Sequence, residues 1–165
     1  MGVTIIEDTR QQKGKHEHKN EWWGREGVSI VRSKLAFGDY ALPPKIAIDS
    51  KKDIQELAFD IDQCHKRFRA ECVNARDAGC QLIVLVENTD GVRTLEDLAK
   101  WREPSDSFAK RKCASRRIEG SRLAKACCTM SSRYAVRFMF CHPSEAAALI
   151  LKLLTNGGDG DADTA

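Results

Sequence analysis

Residues 81–87, Gln-Leu-Ile-Val-Leu-Val-Glu, restrict the folds open to this chain more than any other stretch. They show no apolar–polar alternation, so a strand built from them must be covered on both faces, as a central strand of a layered sheet is. The flanking sequence supplies the layers. Residues 3–7 form a short β-branched run, and residues 28–31 and 45–49 read as two further strands. Apolar positions 54, 57, 58, 61, 64, 68, 72 and 75 recur at three- and four-residue steps and predict one long helix. Asp53 and Glu56 fit its N-terminal cap, and Gly79 ends it.

A helix over 20–26 stops at Gly27 and carries Trp22 and Trp23, which cannot both face one core. Pro43-Pro44 marks a tight connection before residue 45. A short helix over 94–101, a helix over 121–130, a strand over 134–141 and a helix after Pro143 complete the chain. The order β-α-β-β-β-α-β-α-β-α predicts an α/β fold, a mixed β-sheet with helices on both faces. One soluble domain over 1–155 fits the 165 residues, of which 42% are hydrophobic and 31% charged. The residues 156–165, glycine- and aspartate-rich, are expected to be a disordered acidic tail.

No apolar run approaches membrane-spanning length and no signal-peptide pattern opens the chain, so a cytoplasmic location and no membrane partner are expected. The seven cysteines agree with that compartment. Cys64, Cys72, Cys127 and Cys141 fall where helix or strand cores are expected, as reduced buried thiols do, and no pair has the Cys-x-x-Cys spacing of a zinc site.

Chemistry concentrates in residues 37–52. A turn glycine, Gly38, delivers the carboxylate of Asp39, and ten residues later an apolar strand ends in Asp49-Ser50-Lys51. Side chains alternate along a strand, so Asp49 and Lys51 share one face and Ser50 points away. Two facing carboxylates beside an ammonium can hold an oxygen-loving divalent metal and orient a water, the layout of a metal-dependent phosphodiesterase centre. The spacing alone equally allows a surface ion pair at a strand end. Charge also appears abruptly at Glu7-Asp8-Thr9-Arg10, at the C-terminal end of the first strand, the edge where open α/β sheets build sites.

The net charge of +3 is unevenly spread. Residues 100–125 hold nine basic side chains against three acidic ones, a net +6 that leaves −3 on the remainder. Lys110, Arg111, Lys112, Arg116 and Arg117 lie in this segment, which is expected to be mobile and suits a polyanionic partner; a solvated loop is the alternative.

Taken in this order, the motifs resemble the nuclease domain of the XPF-type structure-specific endonucleases, a branch of the PD-(D/E)xK superfamily with the restriction-endonuclease-like fold. The likeness rests on Asp8-Thr9-Arg10-Gln11, Gly38-Asp39-Tyr40, Asp49-Ser50-Lys51 and residues 82–87, spans roughly 3–154, and looks closest to stand-alone, phage-type members. Gln11 and Asp49 stand where the family has glutamate, and Ser50 where it has arginine. Lys52, on the same side as Ser50 in an extended chain, is the expected substitute for that cation. The resemblance implies that Asp39, Asp49 and the Ser50 carbonyl coordinate Mg²⁺ or Mn²⁺, with Asp8 completing the shell. Lys51 holds the attacking water, and Arg10 orients the carboxylates or grips a phosphate; for Asp8 and Arg10 a structural salt bridge fits as well. Glu71 and Glu87 are weaker candidates.

The activity implied is metal-dependent endonucleolysis of branched or structured DNA in repair or recombination, in a bacterial cell or a phage-infected host. Lys52 and the five basic residues of the 100–125 segment are the expected DNA contacts. A homodimer is possible on the same grounds. The alternatives are a DNA-binding subunit of the same fold without useful catalysis and a nuclease acting on RNA.

Overall fold

The computed structural model describes residues 3–12, 14, 17–42, 46–111 and 116–156; the Pro43-Pro44 connection, Lys112 and the tail beyond Asn156 lie outside them. The described residues form β1 (Thr4–Asp8), α1 (Glu17–Arg25), β2 (Ser29–Ser33), β3 (Tyr40–Leu42), β4 (Ile46–Lys51), α2 (Ile54–Asp62) and α3 (His65–Asp77). There follow β5 (Gln81–Glu87), α4 (Leu95–Lys100), α5 (Ser105–Lys110), α6 (Gly120–Tyr134), β6 (Arg137–Cys141), a 3₁₀ turn at Pro143–Glu145, and α7 (Ala146–Thr155).

The six strands make one mixed sheet in the order β2-β1-β3-β4-β5-β6. β3 runs antiparallel to both neighbours; the other pairings are parallel. Strand alternation sorts the apolar side chains into two cores. Ala41, Ala47, Leu82, Val84 and Val86 join Ile54, Leu57, Phe68, Cys72, Leu98, Leu123 and Cys127 from α2, α3, α4 and α6. On the opposite face, Ile5, Tyr40, Ile46, Ile48, Ile83 and Leu85 join Trp23 of α1 and Ile150, Leu153 and Leu154 of α7. The expected mixed sheet with helices on both faces is therefore observed. β5 is interior and buried on both sides, but it lies one strand from the edge rather than at the centre.

Three expectations are corrected. The single helix over 54–79 is two helices. At the break, the amides of Gln63 and Cys64 both donate to the Phe59 carbonyl, at 2.7 and 3.1 Å, and the next helix starts at His65. Both segments bury their apolar stripes in the same core, so the spacing continues across the interruption and hides it. Second, α6 runs on to Tyr134 and ends in Ala135 with φ 55°, which shortens the strand expected over 134–141 to Arg137–Cys141. Third, the stretch after residue 101 contains α5, which has no buried side chains and so no apolar stripe to predict it from.

The two expected details at helix ends hold. Asp53 caps α2 by accepting from the Glu56 amide at 2.7 Å. Trp23 is fully buried, with its indole donating to the Ala147 carbonyl at 2.9 Å, while Trp22 is partly exposed. Among the described residues no helix is long and apolar enough to cross a membrane.

The start of α6 depends on close approach to α4. A Cβ at Gly120 would lie 2.1 Å from the Leu98 carbonyl oxygen and 2.5 Å from that of Trp101, both main chain and neither able to swing away. Gly120→Ala is therefore expected to cost at least about 2 kcal/mol, measured by urea denaturation, as overpacking against backbone does.

Candidate active site

Gly38 sits at φ 73°, and a Cβ there would meet the Ala47 Cβ and the Ile48 carbonyl at 3.1 Å. Only glycine combines that conformation with that contact. The tight fit lets the Asp39 amide donate to the Ile48 carbonyl at 2.7 Å, while the Asp8 amide donates to the Asp39 carbonyl at 2.8 Å. Because β3 runs against its neighbours, its first residues meet the C-terminal ends of β1 and β4. Asp8, Asp39 and Asp49 are thus brought to one edge by main-chain bonds.

Alternation along β4 turns Asp49 and Lys51 toward α2 and α3, as expected, with 2.8 Å between Lys51 Nζ and Asp49 Oδ2. The Ser50 amide donates to Asp39 Oδ2 at 2.9 Å. Burial, and then the charge of Asp49, push the Asp39 carboxyl up to about 7, against the Ser50 amide, the Gln11 side chain and Lys51. Burial also raises Asp49, opposed by the charge and hydrogen bond of Lys51. Lys51 is held above its ordinary range: desolvation works against the ammonium, but Asp49 and Asp60 outweigh it. At neutral pH it is a cation and not a base.

Asp60 escaped the sequence reading. It is buried on α2, hydrogen-bonds Lys51 with Oδ2, and takes Arg67 on Oδ1 at 3.2 Å. Its signal was a carboxylate three residues after Leu57, on the flank of an apolar stripe. Glu71 of α3 is closer to the site than expected. Its Oε1 accepts from the Gly38 amide at 2.6 Å, and burial and the charge of Asp49 raise its carboxyl.

Asp8 and Arg10 form the salt bridge that was the alternative reading. Both Asp8 oxygens are taken by Arg10, through its amide at 3.0 Å and its side chain, and the guanidinium also reaches the Leu35 carbonyl at 3.0 Å. Burial alone would raise Asp8; the hydrogen bonds and charge of Arg10 hold it below the usual carboxylate range. The Gln11 departure has a consequence here: its side chain hydrogen-bonds Asp39, where a glutamate would add charge.

Ser50 and Glu87 face the other side of the sheet. There the buried Lys19 of α1 bonds Ser50 Oγ at 3.0 Å and pairs with Glu87, which also accepts from Ser50 Oγ at 3.0 Å. Lys52 is not part of the extended strand that would set it on the same side as Ser50. β4 ends at Lys51, so Lys52 leaves the alternation, exposed, with its amide donating to Glu56 Oε2 at 2.7 Å. Lys19 supplies positive charge at that buried place instead.

The groups around Asp39 and Asp49 line a cleft of about 650 Å³, with Asp8, Arg10, Gln11, Phe59, Arg67 and Glu71 along its walls. No three Asp, Glu, His or Cys side chains among the described residues form a ready-made metal cage. Asp39, raised by burial and then by the charge of Asp49, and Asp49 itself are the two carboxylates that could hold a cation. Such a pair suits a hard cation that completes its shell with water and substrate oxygens, as Mg²⁺ does.

None of the described residues of the basic segment lines the cleft. Lys110 and Arg116 are exposed. Arg111 forms a two-pronged pair with the buried Glu103, at 2.7 and 2.6 Å, and Arg117 donates to the Glu103 carbonyl at 2.9 Å. These two guanidiniums fasten the segment to itself.

No model of a known protein family matches the sequence, and no curated protein does. Among solved structures, XPF from Aeropyrum pernix matches with a TM-score of 0.64 over 95% of this chain, at 17% identity. The same protein in complex with DNA matches with a TM-score of 0.62 over 99%, at 14% identity. The fold is that of the matched part of XPF, its nuclease domain. The chain spans 66% and 68% of those two XPF structures.

Two measurements check this electrostatic layout. A carboxyl at about 7 in the folded state and near 4 when unfolded takes up its proton preferentially in the fold. In EDTA the stability should therefore fall as pH rises from about 4 through 7 and level off above it. Asp39→Asn should flatten that dependence and raise the denaturation midpoint at pH 8. Separately, Arg111→Ala leaves the buried Glu103 without its cationic partner, with the Ile118 amide left on its carboxylate, and should cost on the order of 2 kcal/mol in chemical denaturation. Lys110→Ala, at an exposed site, should stay within about 0.5 kcal/mol.

Proposed function

We propose that this protein is a metal-dependent DNA endonuclease that hydrolyses phosphodiester bonds in branched or otherwise structured DNA during repair or recombination. The observation that carries the proposal is the Asp39–Asp49 pair with Lys51 between Asp49 and Asp60, at one edge of a sheet with the XPF fold. The complex of the Aeropyrum pernix XPF with DNA supports the choice of polymer. Kinship with phage-type members, carried by the short motifs, belongs to the same reading.

Asp39 and Asp49 would hold Mg²⁺ or Mn²⁺, with the Ser50 carbonyl as a further oxygen donor. A bound divalent cation would polarise the phosphoryl oxygen and lower the pKa of a water. The chain's own residues do the rest. Lys51, kept charged by two carboxylates, offsets negative charge that develops on the phosphorus oxygens. Asp60 holds the lysine's ammonium so that little reorganisation is needed when the phosphate arrives. Arg10, with its side chain more than half exposed at the cleft wall, offers Nη1 to an adjacent phosphate while Nε and Nη2 hold Asp8 and the Leu35 carbonyl. Asp8 fixes that guanidinium in place.

The test is cleavage of labelled duplex, fork, flap and four-way junction DNA with Mg²⁺, Mn²⁺ or EDTA. Asp39→Asn and Asp49→Asn should each abolish metal-dependent cutting while the protein remains folded. Lys51→Ala should lower kcat by about a hundredfold or more with little loss of DNA affinity. A folded Asp39→Asn variant that cuts at the wild-type rate would overturn the proposal, and equal losses of rate and affinity at Lys51 would make it a phosphate contact only.

A further inference from the structure

Phe59 projects from α2 with 55% of its surface exposed, and among the described residues only it and Val31 are large apolar side chains left so open. It stands outside the apolar stripe of Ile54, Leu57, Ala58 and Ile61 that seats the helix, so the ring adds little to the core. Its position is not arbitrary. Phe59 lines the same cleft as Asp39, Asp49 and Lys51, and the next residue, Asp60, holds the lysine. Arg67, 75% exposed on its side chain, lies in the same wall, and Arg10, 56% exposed, in the cleft as well.

The cleft thus has an acidic floor, guanidinium groups in its walls and one exposed aromatic ring. A phosphodiester brought to the floor carries a nucleotide on each side. In a duplex the flanking bases are stacked within the helix and offer no face to a protein ring. In a single strand the base is free to stack, and aromatic side chains take any base because every base has a π-face. The volume of about 650 Å³ is on the scale of one or two nucleotides and within the usual range of ligand clefts.

We propose that Phe59 stacks on an unpaired base beside the phosphate bound in the cleft, so that the preferred substrate is a nucleic acid strand with an unpaired nucleotide at that place. This rests on the nuclease reading of the cleft and names the feature of the substrate that the cleft selects. Arg67, held by Asp60 in the same cleft, contacts the phosphate of the same nucleotide, and the stack discriminates paired from unpaired strands without reading sequence.

A double-substitution cycle on binding tests it, in EDTA so that no cutting intervenes. The affinity of wild type and Phe59→Ala is measured by fluorescence anisotropy for a fork whose single-stranded arm carries an abasic nucleotide at successive positions. At one position, removing the base or removing the ring should each weaken binding about tenfold, and removing both should weaken it no further. Phe59→Tyr should restore the affinity, and blunt duplex should bind both proteins alike. The inference is overturned if Phe59→Ala binds the fork as wild type does. It is also overturned if the two losses multiply at every position, or if the loss is equal on duplex. A changed oligomeric state of Phe59→Ala with unchanged DNA affinity would assign the ring to a protein interface and overturn it too. The nuclease reading fails separately, by an absence of cleavage, and the binding cycle does not depend on cleavage.

Discussion

The contact of Gly38 with β4 is the constraint on which the site depends. Without a Cβ, the turn approaches Ala47 and Ile48 closely enough for the Asp39 amide to join the Ile48 carbonyl. That bond sets Asp39 against Asp49 across a gap where two carboxylates repel. The repulsion is tolerated because Asp39 is held on both sides, the Asp8 amide donating to its carbonyl and the Ser50 amide to its carboxylate, while its own amide joins Ile48. Main-chain hydrogen bonds are formed for the fold in any case, so they can hold side chains in an arrangement those side chains would not adopt alone.

The charge balance of the site follows from that strain. Asp39 is raised toward neutrality by burial and by Asp49, whereas Lys51 is kept cationic by Asp49 and Asp60. On the proposed function, the first group would release its proton to an arriving cation while the second stays charged. Both needs are met on the same face of the sheet because residues 49 and 51 are two apart on a strand. On the reverse face the intervening residue, Ser50, meets Lys19 and Glu87 deep in the second core. A buried ion pair of this kind gains little net stability, because desolvation offsets much of the attraction. It does fix the end of β4 from behind, at the residue whose amide holds Asp39 in front.

Positive charge is divided in a way that composition does not reveal. In the basic stretch after residue 100, Arg111 and Arg117 close on Glu103, and Arg122 pairs with Asp62 at 2.7 and 2.5 Å. The guanidinium groups beside the candidate site are Arg10 and Arg67 instead, each tied to a carboxylate of the cleft. A polyanion approaching the cleft therefore meets arginines pre-oriented by Asp8 and Asp60.

Sequence alone determined the layered architecture, the cap of α2 at Asp53 and the shared face of Asp49 and Lys51. Each is a local property: a run without alternation, a side chain reaching its own helix end, a two-residue period. It also singled out Gly38 and Asp39, because a turn glycine before a carboxylate is a contiguous signal. Only the tertiary structure decided that Asp60 grips Lys51 and that Lys19 crosses from α1 to stand behind Ser50, since those partners are 9 and 31 residues apart. It decided likewise that Arg111 pairs with the buried Glu103 and that Phe59 lines the cleft. Periodicity reports which side of an element is buried, whereas the identity of the charge or space opposite depends on how separate elements pack.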